Sequence, residues 1–274
     1  MSADIFEELA LACVRYGEAP PSWVRQKKVP QIKAQEYGDK GPRILLFHGL
    51  LGAMSNWDTL IPFLVKFSRP INFYFPILTA HRSEVRVKAL ALLAEYYLRE
   101  KKLGPVVLCG NSLGGHVAQR LCLASPELTH SLILSGTSGL YEHTVDNLPV
   151  RPDRNYIREH MGRVFFQREF VTEDRIEEVY KILQKKLNVL NVIHAARSAK
   201  RDNLAHLLPQ INKPTLLLWG EDDQVTTMAV ANLFKDGIPN SKLVSIKNCG
   251  HAPMIEYPEW FADQIRSFLE ENPL

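Results

Sequence analysis

The chain has 274 residues, 46% of them apolar and 23% charged, with a formal net charge of +3. That length and composition fit one large α/β domain, or a domain with an insertion, and exclude a disordered or low-complexity chain. So mild a charge, with no long Lys/Arg block, argues against a nucleic-acid partner, and no apolar run reaches membrane-spanning length.

Residues 3–16 predict a short amphipathic helix with Ile5, Leu9, Ala12, Cys13 and Tyr16 on one side, ended by Gly17 ahead of Pro20-Pro21. The opening Met1-Ser2-Ala3-Asp4-Ile5-Phe6-Glu7-Glu8 is acidic and lacks the features of a signal peptide. Cysteines stand at 13, 109, 122 and 249, with no C-x-x-C pair and no metal-ligand spacing. Reduced thiols and a cytoplasmic location are therefore expected, with Cys109 and Cys122 packing as small hydrophobes. Neither a metal nor a cofactor is expected.

Residues 31–37 predict a strand, and 37–42 a turn. Arg43-Ile44-Leu45-Leu46-Phe47 is a compact apolar run, as in a strand buried on both faces. Further strands are predicted at 71–75, 105–109, 131–135, 214–219 and 242–246, with helices over 83–101 and 259–271. This alternation predicts a mostly parallel central sheet with helices on both faces. Residues 139–210 break the alternation. They hold no convincing strand and several helical patterns, one over 173–187 with Ile176, Val179, Tyr180, Leu183 and Leu187 on one face. The reading is a helical lid at 139–210 inserted in a core of 1–138 and 211–274.

The sharpest signal is Gly110-Asn111-Ser112-Leu113-Gly114, between an apolar strand and the helical stretch that starts at Gly115. Strand, sharp turn and helix is the setting in which G-x-S-x-G forms a nucleophile elbow. The serine is held in a strained backbone conformation that exposes its hydroxyl, and glycines two residues away on each side avoid a clash. Ser112 is therefore the candidate nucleophile. A serine hydroxyl needs a base, an orienter for the base, and donors for a developing oxyanion.

The motif predicts the order nucleophile, acid, histidine. Of nine histidines, His251 lies in the loop Asn248-Cys249-Gly250-His251-Ala252-Pro253 after the last predicted strand, and is the candidate base. Trp219-Gly220-Glu221-Asp222-Asp223 offers three carboxylates in a row after the preceding strand. Asp223 is preferred as the orienting acid and Asp222 is the alternative. The candidate oxyanion donors are the backbone N–H groups of Leu113, after the serine, and Leu50, in the loop His48-Gly49-Leu50-Leu51-Gly52. His48 is read as shaping that loop through its ring rather than as a second base.

These segments together resemble the α/β-hydrolase superfamily over roughly residues 30–272. The resemblance rests on His48-Gly49, Gly110-Asn111-Ser112-Leu113-Gly114-Gly115, Trp219-Gly220-Glu221-Asp222-Asp223 and Gly250-His251-Ala252-Pro253-Met254-Ile255-Glu256. It implies the α/β-hydrolase fold and a Ser112–Asp223–His251 triad acting on a small-molecule substrate. Gly-Asn-Ser-x-Gly-Gly looks like the meta-cleavage-product hydrolases, which split carbon–carbon bonds. Those usually carry Gly-Pro-Gly in the oxyanion loop, where this chain has Leu50-Leu51-Gly52, and favour a tryptophan close after the histidine, where this chain has Ala252-Pro253. The loop looks more like that of small-molecule esterases and acyl-hydrolases. An esterase is therefore expected, with a carbon–carbon hydrolase or a low-turnover ligand-binding relative as alternatives. Phe165, Phe166, Phe170, Val189, Leu190 and Ile193 would either line an apolar pocket or pack the lid itself. Arg154, Arg158, Arg163 and Arg197 could meet a substrate carboxylate, but twelve Lys/Arg against ten Asp/Glu over 139–210 give no net field.

Overall fold

In the computed structural model, residues 4–51, 54–141 and 151–274 are described. Seven strands form one sheet: β1 (Lys33–Glu36), β2 (Arg43–Phe47), β3 (Arg69–Tyr74), β4 (Val106–Asn111), β5 (Thr129–Ser135), β6 (Thr215–Gly220) and β7 (Ser241–Ile246). Their spatial order is β1-β3-β2-β4-β5-β6-β7. Only β1, at one edge, is antiparallel to its neighbour. It is also the most polar strand, as suits an edge.

The period of two along the central strands divides the core. Leu45 and Phe47, Val106 and Leu108, Leu132 and Leu134, and Leu217 and Trp219 join one apolar cluster. Their sequence neighbours Ile44 and Leu46, Val107 and Cys109, Ile133, and Leu216 and Leu218 join the other. Side chains alternate across a strand, so a run apolar at every position needs cover on both faces. Helices Ile5–Tyr16, Val87–Glu100, Leu113–Ala124 and Met228–Gly237 supply residues to the first cluster. Helix Pro258–Glu271 and the short helices Ile61–Leu64 and Pro253–Glu256 supply the second. Each large apolar side chain fully buried this way contributes about 1.5–3 kcal/mol.

The first helix is fixed at both ends. The Asp4 side chain accepts from the Phe6 N–H, and Gly17 closes it in the left-handed region at φ 64°. Its last turn is anchored by the fully buried Glu95, which accepts from Arg15, the Tyr16 hydroxyl, Arg99 and Ser125.

The strand order reverses at β2. The chain leaves β2 for β3 on one side, then crosses back to β4 on the other. At such a switch point of an open α/β sheet, ligands bind in the crevice outside the carboxyl ends of the strands. Both loops singled out in the sequence, 48–51 and the turn at Ser112, lie at this place.

Between β5 and β6 the described residues hold no strand. They form helices Arg154–Val164, Glu173–Leu183 and Lys186–Arg201. Ile157, Ile176, Leu183, Val189 and Val192 make a separate apolar cluster, against which Leu50 and Leu78 pack from the loops after β2 and β3. One expectation is corrected here. The helix predicted over 173–187 stops at Leu183, and Leu187 belongs to the next helix and is 57% exposed. The break is chemical: Lys185 is extended, and the Asn188 side-chain amide donates to the Ile182 carbonyl at 2.7 Å, capping the helix that ends there. No helix of the described residues is long and apolar enough to cross a membrane.

Candidate active site

Ser112 sits at the junction of β4 and helix Leu113–Ala124 with φ 54° and ψ −121°. A non-glycine residue there stores about 1–3 kcal/mol of strain. The surroundings enforce the conformation. The Ser112 N–H donates to the Ser135 carbonyl at 3.0 Å, and its own carbonyl accepts from Gly115, His116 and Ser138. A Cβ on Gly110 would lie 2.4 Å from the Gly114 backbone, and one on Gly114 would lie 2.1 Å from the Phe47 carbonyl oxygen. Only glycine fits at either position, as the motif requires. Ser112 remains half-buried rather than sealed in.

His251 and Asp223 meet as the sequence order predicts. The His251 Nδ1 lies 2.8 Å from Asp223 Oδ2, and both residues are buried. The ionised carboxylate only accepts, so Nδ1 carries the proton and Nε2 is left to take one up. Asp223 is itself held by the N–H groups of Val225 and Thr226 on Oδ1, at 2.7 and 2.9 Å, and by the Thr226 hydroxyl on Oδ2 at 2.9 Å. Asp222, the alternative acid, is exposed, and its N–H donates to the Cys249 carbonyl. Of the two carboxylates, the turn after β6 carries Asp223 inward to His251 and leaves Asp222 at the surface.

The serine turn and the histidine loop are joined through Asn111. Its side-chain amide donates to the Ser135 carbonyl at 3.1 Å and to the His251 carbonyl at 3.0 Å. The first of these also receives the Ser112 N–H. Asn111 therefore fixes the backbone around all three positions, a role its place in the motif does not reveal. Gly136, just past β5, adopts φ 48°, and a Cβ there would come within 2.8 Å of His251 Nδ1 and 3.1 Å of Asp223 Oδ2. Thr226 and Gly136 carry no pattern that would single them out.

His48 behaves as the loop-shaping histidine expected. Its Nε2 accepts from the Phe75 N–H at 2.9 Å, and its Nδ1 lies 2.8 Å from the Gly49 carbonyl, to which it donates. Burial pushes its pKa down to about 4, so it is neutral at pH 7 with both ring nitrogens engaged. This bracing brings the loop after β2 against the elbow: a Cβ on Gly49 would lie 3.3 Å from Ser112 Cβ. Leu113 opens the elbow helix, where its N–H has no partner carbonyl one turn back in the helix. Leu50 follows Gly49 in the braced loop. Gly52 and Ala53 of the same segment, and Glu142 between β5 and β6, lie outside the described residues.

Several of the side chains considered for a pocket pack or pair with neighbours of their own segment. Phe165 and Phe170 pair at 5.8 Å between ring centroids, Val189 is buried among its own helices, and Phe166 is exposed. Arg154 pairs with Glu177 and Arg158 with Glu173, while Arg163 and Arg197 are exposed. Among the described residues no three His, Cys, Asp or Glu side chains gather into a metal-binding group.

With this geometry in view, the model of the alpha/beta hydrolase family matches residues 44–264. The chain belongs to that family. This alpha/beta hydrolase is 23% identical over 262 residues to a 2-hydroxy-6-oxononadienedioate/2-hydroxy-6-oxononatrienedioate hydrolase of a Pseudomonas species, covering 87% of this chain and 91% of the relative. It is 26% identical over 237 residues to a pimeloyl-[acyl-carrier protein] methyl ester esterase of Nitrosomonas europaea, covering 81% and 93%. Its fold superposes on a meta-cleavage product hydrolase of Pseudomonas fluorescens with a TM-score of 0.74 at 19% identity, covering 88% of this chain and 94% of the other. The relatives thus include a 2-hydroxy-6-oxononadienedioate hydrolase and a methyl ester esterase, and the chain is a hydrolase of this fold.

Proposed function

We propose that this alpha/beta hydrolase cleaves a small-molecule ester or related acyl substrate through an acyl-enzyme. The observation that carries the proposal is the buried 2.8 Å contact between His251 Nδ1 and Asp223 Oδ2, tied through Asn111 to the strained elbow that presents Ser112. Ser112 Oγ attacks the acyl carbon while His251 Nε2 takes the hydroxyl proton. The oxyanion that forms is stabilised by the N–H groups of Leu50 and Leu113, each contributing a few kcal/mol in the transition state. Asp223 holds the ring and stabilises its protonated form. The same proton then goes to the departing alkoxide, and water activated by His251 releases the acid. The helices within 139–210 act as a lid over this crevice, with Leu50 as their contact on the oxyanion side.

The carbon–carbon reading draws support from the Pseudomonas relative's name. A ring-fission substrate carries a carboxylate that calls for a cation beside the serine. Two of the four candidate arginines, Arg154 and Arg158, are occupied by Glu177 and Glu173 at the surface, and Arg163 and Arg197 are exposed, which supports the ester reading. A panel of esters and thioesters of graded acyl length, with one ring-fission product included, tests it. A short neutral ester should be the better substrate, and Ser112→Ala should fold normally and lose on the order of 10⁴-fold or more of its turnover. A ring-fission product cleaved far faster than every ester would promote the carbon–carbon reading.

A further inference from the structure

Glu256 closes the short helix Pro253–Glu256, five residues past His251, and is 6% exposed. A carboxylate this deeply buried needs partners, and Glu256 finds them in backbone. Its Oε1 accepts from the Gly250 N–H at 2.8 Å, and its Oε2 from the N–H groups of Phe166 and Gln167, both at 2.9 Å. One oxygen therefore grips the residue before His251. The other grips the strip of chain that follows helix Arg154–Val164. The two strips also meet directly. The His251 N–H donates to the Val164 carbonyl at 2.7 Å, and a Cβ on Gly250 would lie 2.4 Å from that same oxygen. Phe165 belongs to the same apolar cluster as Ala252 and Met254. Four hydrogen bonds thus lace residues 164–167 to residues 250–251, and three of them end on one carboxylate.

We propose that Glu256 is a positioning residue that sets His251 by clamping its loop to the chain leaving helix Arg154–Val164, so that the seating of the helices between β5 and β6 governs the alignment of the base. This rests on the reading of His251 as the base for Ser112. A ring nitrogen tied to Asp223 still moves with its own backbone, and that backbone is held by Asn111 from the sheet side and by this clamp from the other. A single carboxylate with acceptors on both oxygens satisfies donors from both strips, which a neutral amide cannot do.

Glu256→Gln tests it. The amide keeps one acceptor and turns the other into a donor facing N–H groups, so one half of the clamp is lost while the side-chain volume stays. On a short ester the variant should turn over roughly 10- to 100-fold more slowly than the parent, with KM within about threefold, the pattern of an interaction that acts on the transition state rather than on substrate binding. The His251 Nδ1 proton, seen downfield in proton spectra and identified by its loss in His251→Asn, should broaden and exchange faster with solvent. That resonance reads the clamp without any substrate, so it separates failure of this inference from failure of the esterase reading. A folded variant with turnover and proton exchange like the parent, whether or not its melting temperature falls, would overturn the proposal. Should Glu256→Gln not fold, Gln167→Pro removes one donor and leaves the carboxylate. It should slow turnover several-fold with KM unchanged, and parental turnover there would also overturn the proposal.

Discussion

Gly136 faces the His251 ring with a left-handed backbone, and its missing side chain is what lets the ring and Asp223 approach. Gly136→Ala should therefore cost about 1–2 kcal/mol from the backbone alone, plus the displacement of a ring 2.8 Å from the new methyl. Denaturant melts would read the first and ester turnover the second, and unchanged values of both would contradict the assigned contact. Asp223→Asn should lower turnover by on the order of 10³–10⁴-fold, because the orienting carboxylate is lost. Asp222→Asn should do little, since that side chain is exposed; the reverse ranking in steady-state assays would put the acid one residue earlier. At this scale Ser112, Asp223 and His251 were legible because each sits at a fixed place relative to a strand end. Gly136 was not, because it meets His251 and Asp223 from a distant segment; Thr226 bonds Asp223 from only three residues away but without a motif to mark it, and Glu256, within the segment that carries the resemblance, gave no sign of its partners at 166 and 167. Asn111 was visible but ambiguous: its two carbonyl partners are set by the fold, not by the motif.

Elements were read well where both the period and the stop were written locally. Helix Ile5–Tyr16 has its buried stripe and its terminal glycine in the sequence. Helix Glu173–Leu183 ends through Asn188, a side chain from the next helix, and its end was missed for that reason. A buried residue also links two elements in a way that titration can read. His48 joins the end of β2 to Phe75, just past β3. Its folded pKa of about 4 lies below the unfolded value of about 6.5. Between those values the unfolded chain binds the extra proton, so stability rises with pH through this window and is lost as pH falls from about 6.5 to 4. The loss attributable to His48 is on the order of 3 kcal/mol. Buried His116, whose pKa burial also lowers, acts in the same direction. Urea melts at pH 7.5 and pH 5 should show the parent markedly weaker at pH 5, and His48→Gln should show a smaller difference between the two. Equal parent stability at both values would contradict a neutral buried His48.

For the whole molecule, the sheet and the helical segment between β5 and β6 follow from hydrophobic runs and their interruption, which is why the architecture could be read before the structure. What the helices do for a substrate could not, because Arg154 and Arg158 gave no sign of their partners until Glu177 and Glu173 were brought alongside. Exposed pairs of this kind contribute about 0–1 kcal/mol. Arg154→Ala and Arg158→Ala should each leave hydrolysis of a short neutral ester within tenfold, about 1.4 kcal/mol of barrier, with melting curves to exclude unfolding. A larger loss in a folded variant would place that arginine beside the substrate. The central claim is that Ser112 is a nucleophile activated by His251. Intact-mass and peptide mapping after treatment with a fluorophosphonate tests it most directly. The account predicts one adduct per chain, located on Ser112, absent in Ser112→Ala and formed far more slowly in His251→Asn. No adduct, or one on another residue, would contradict it.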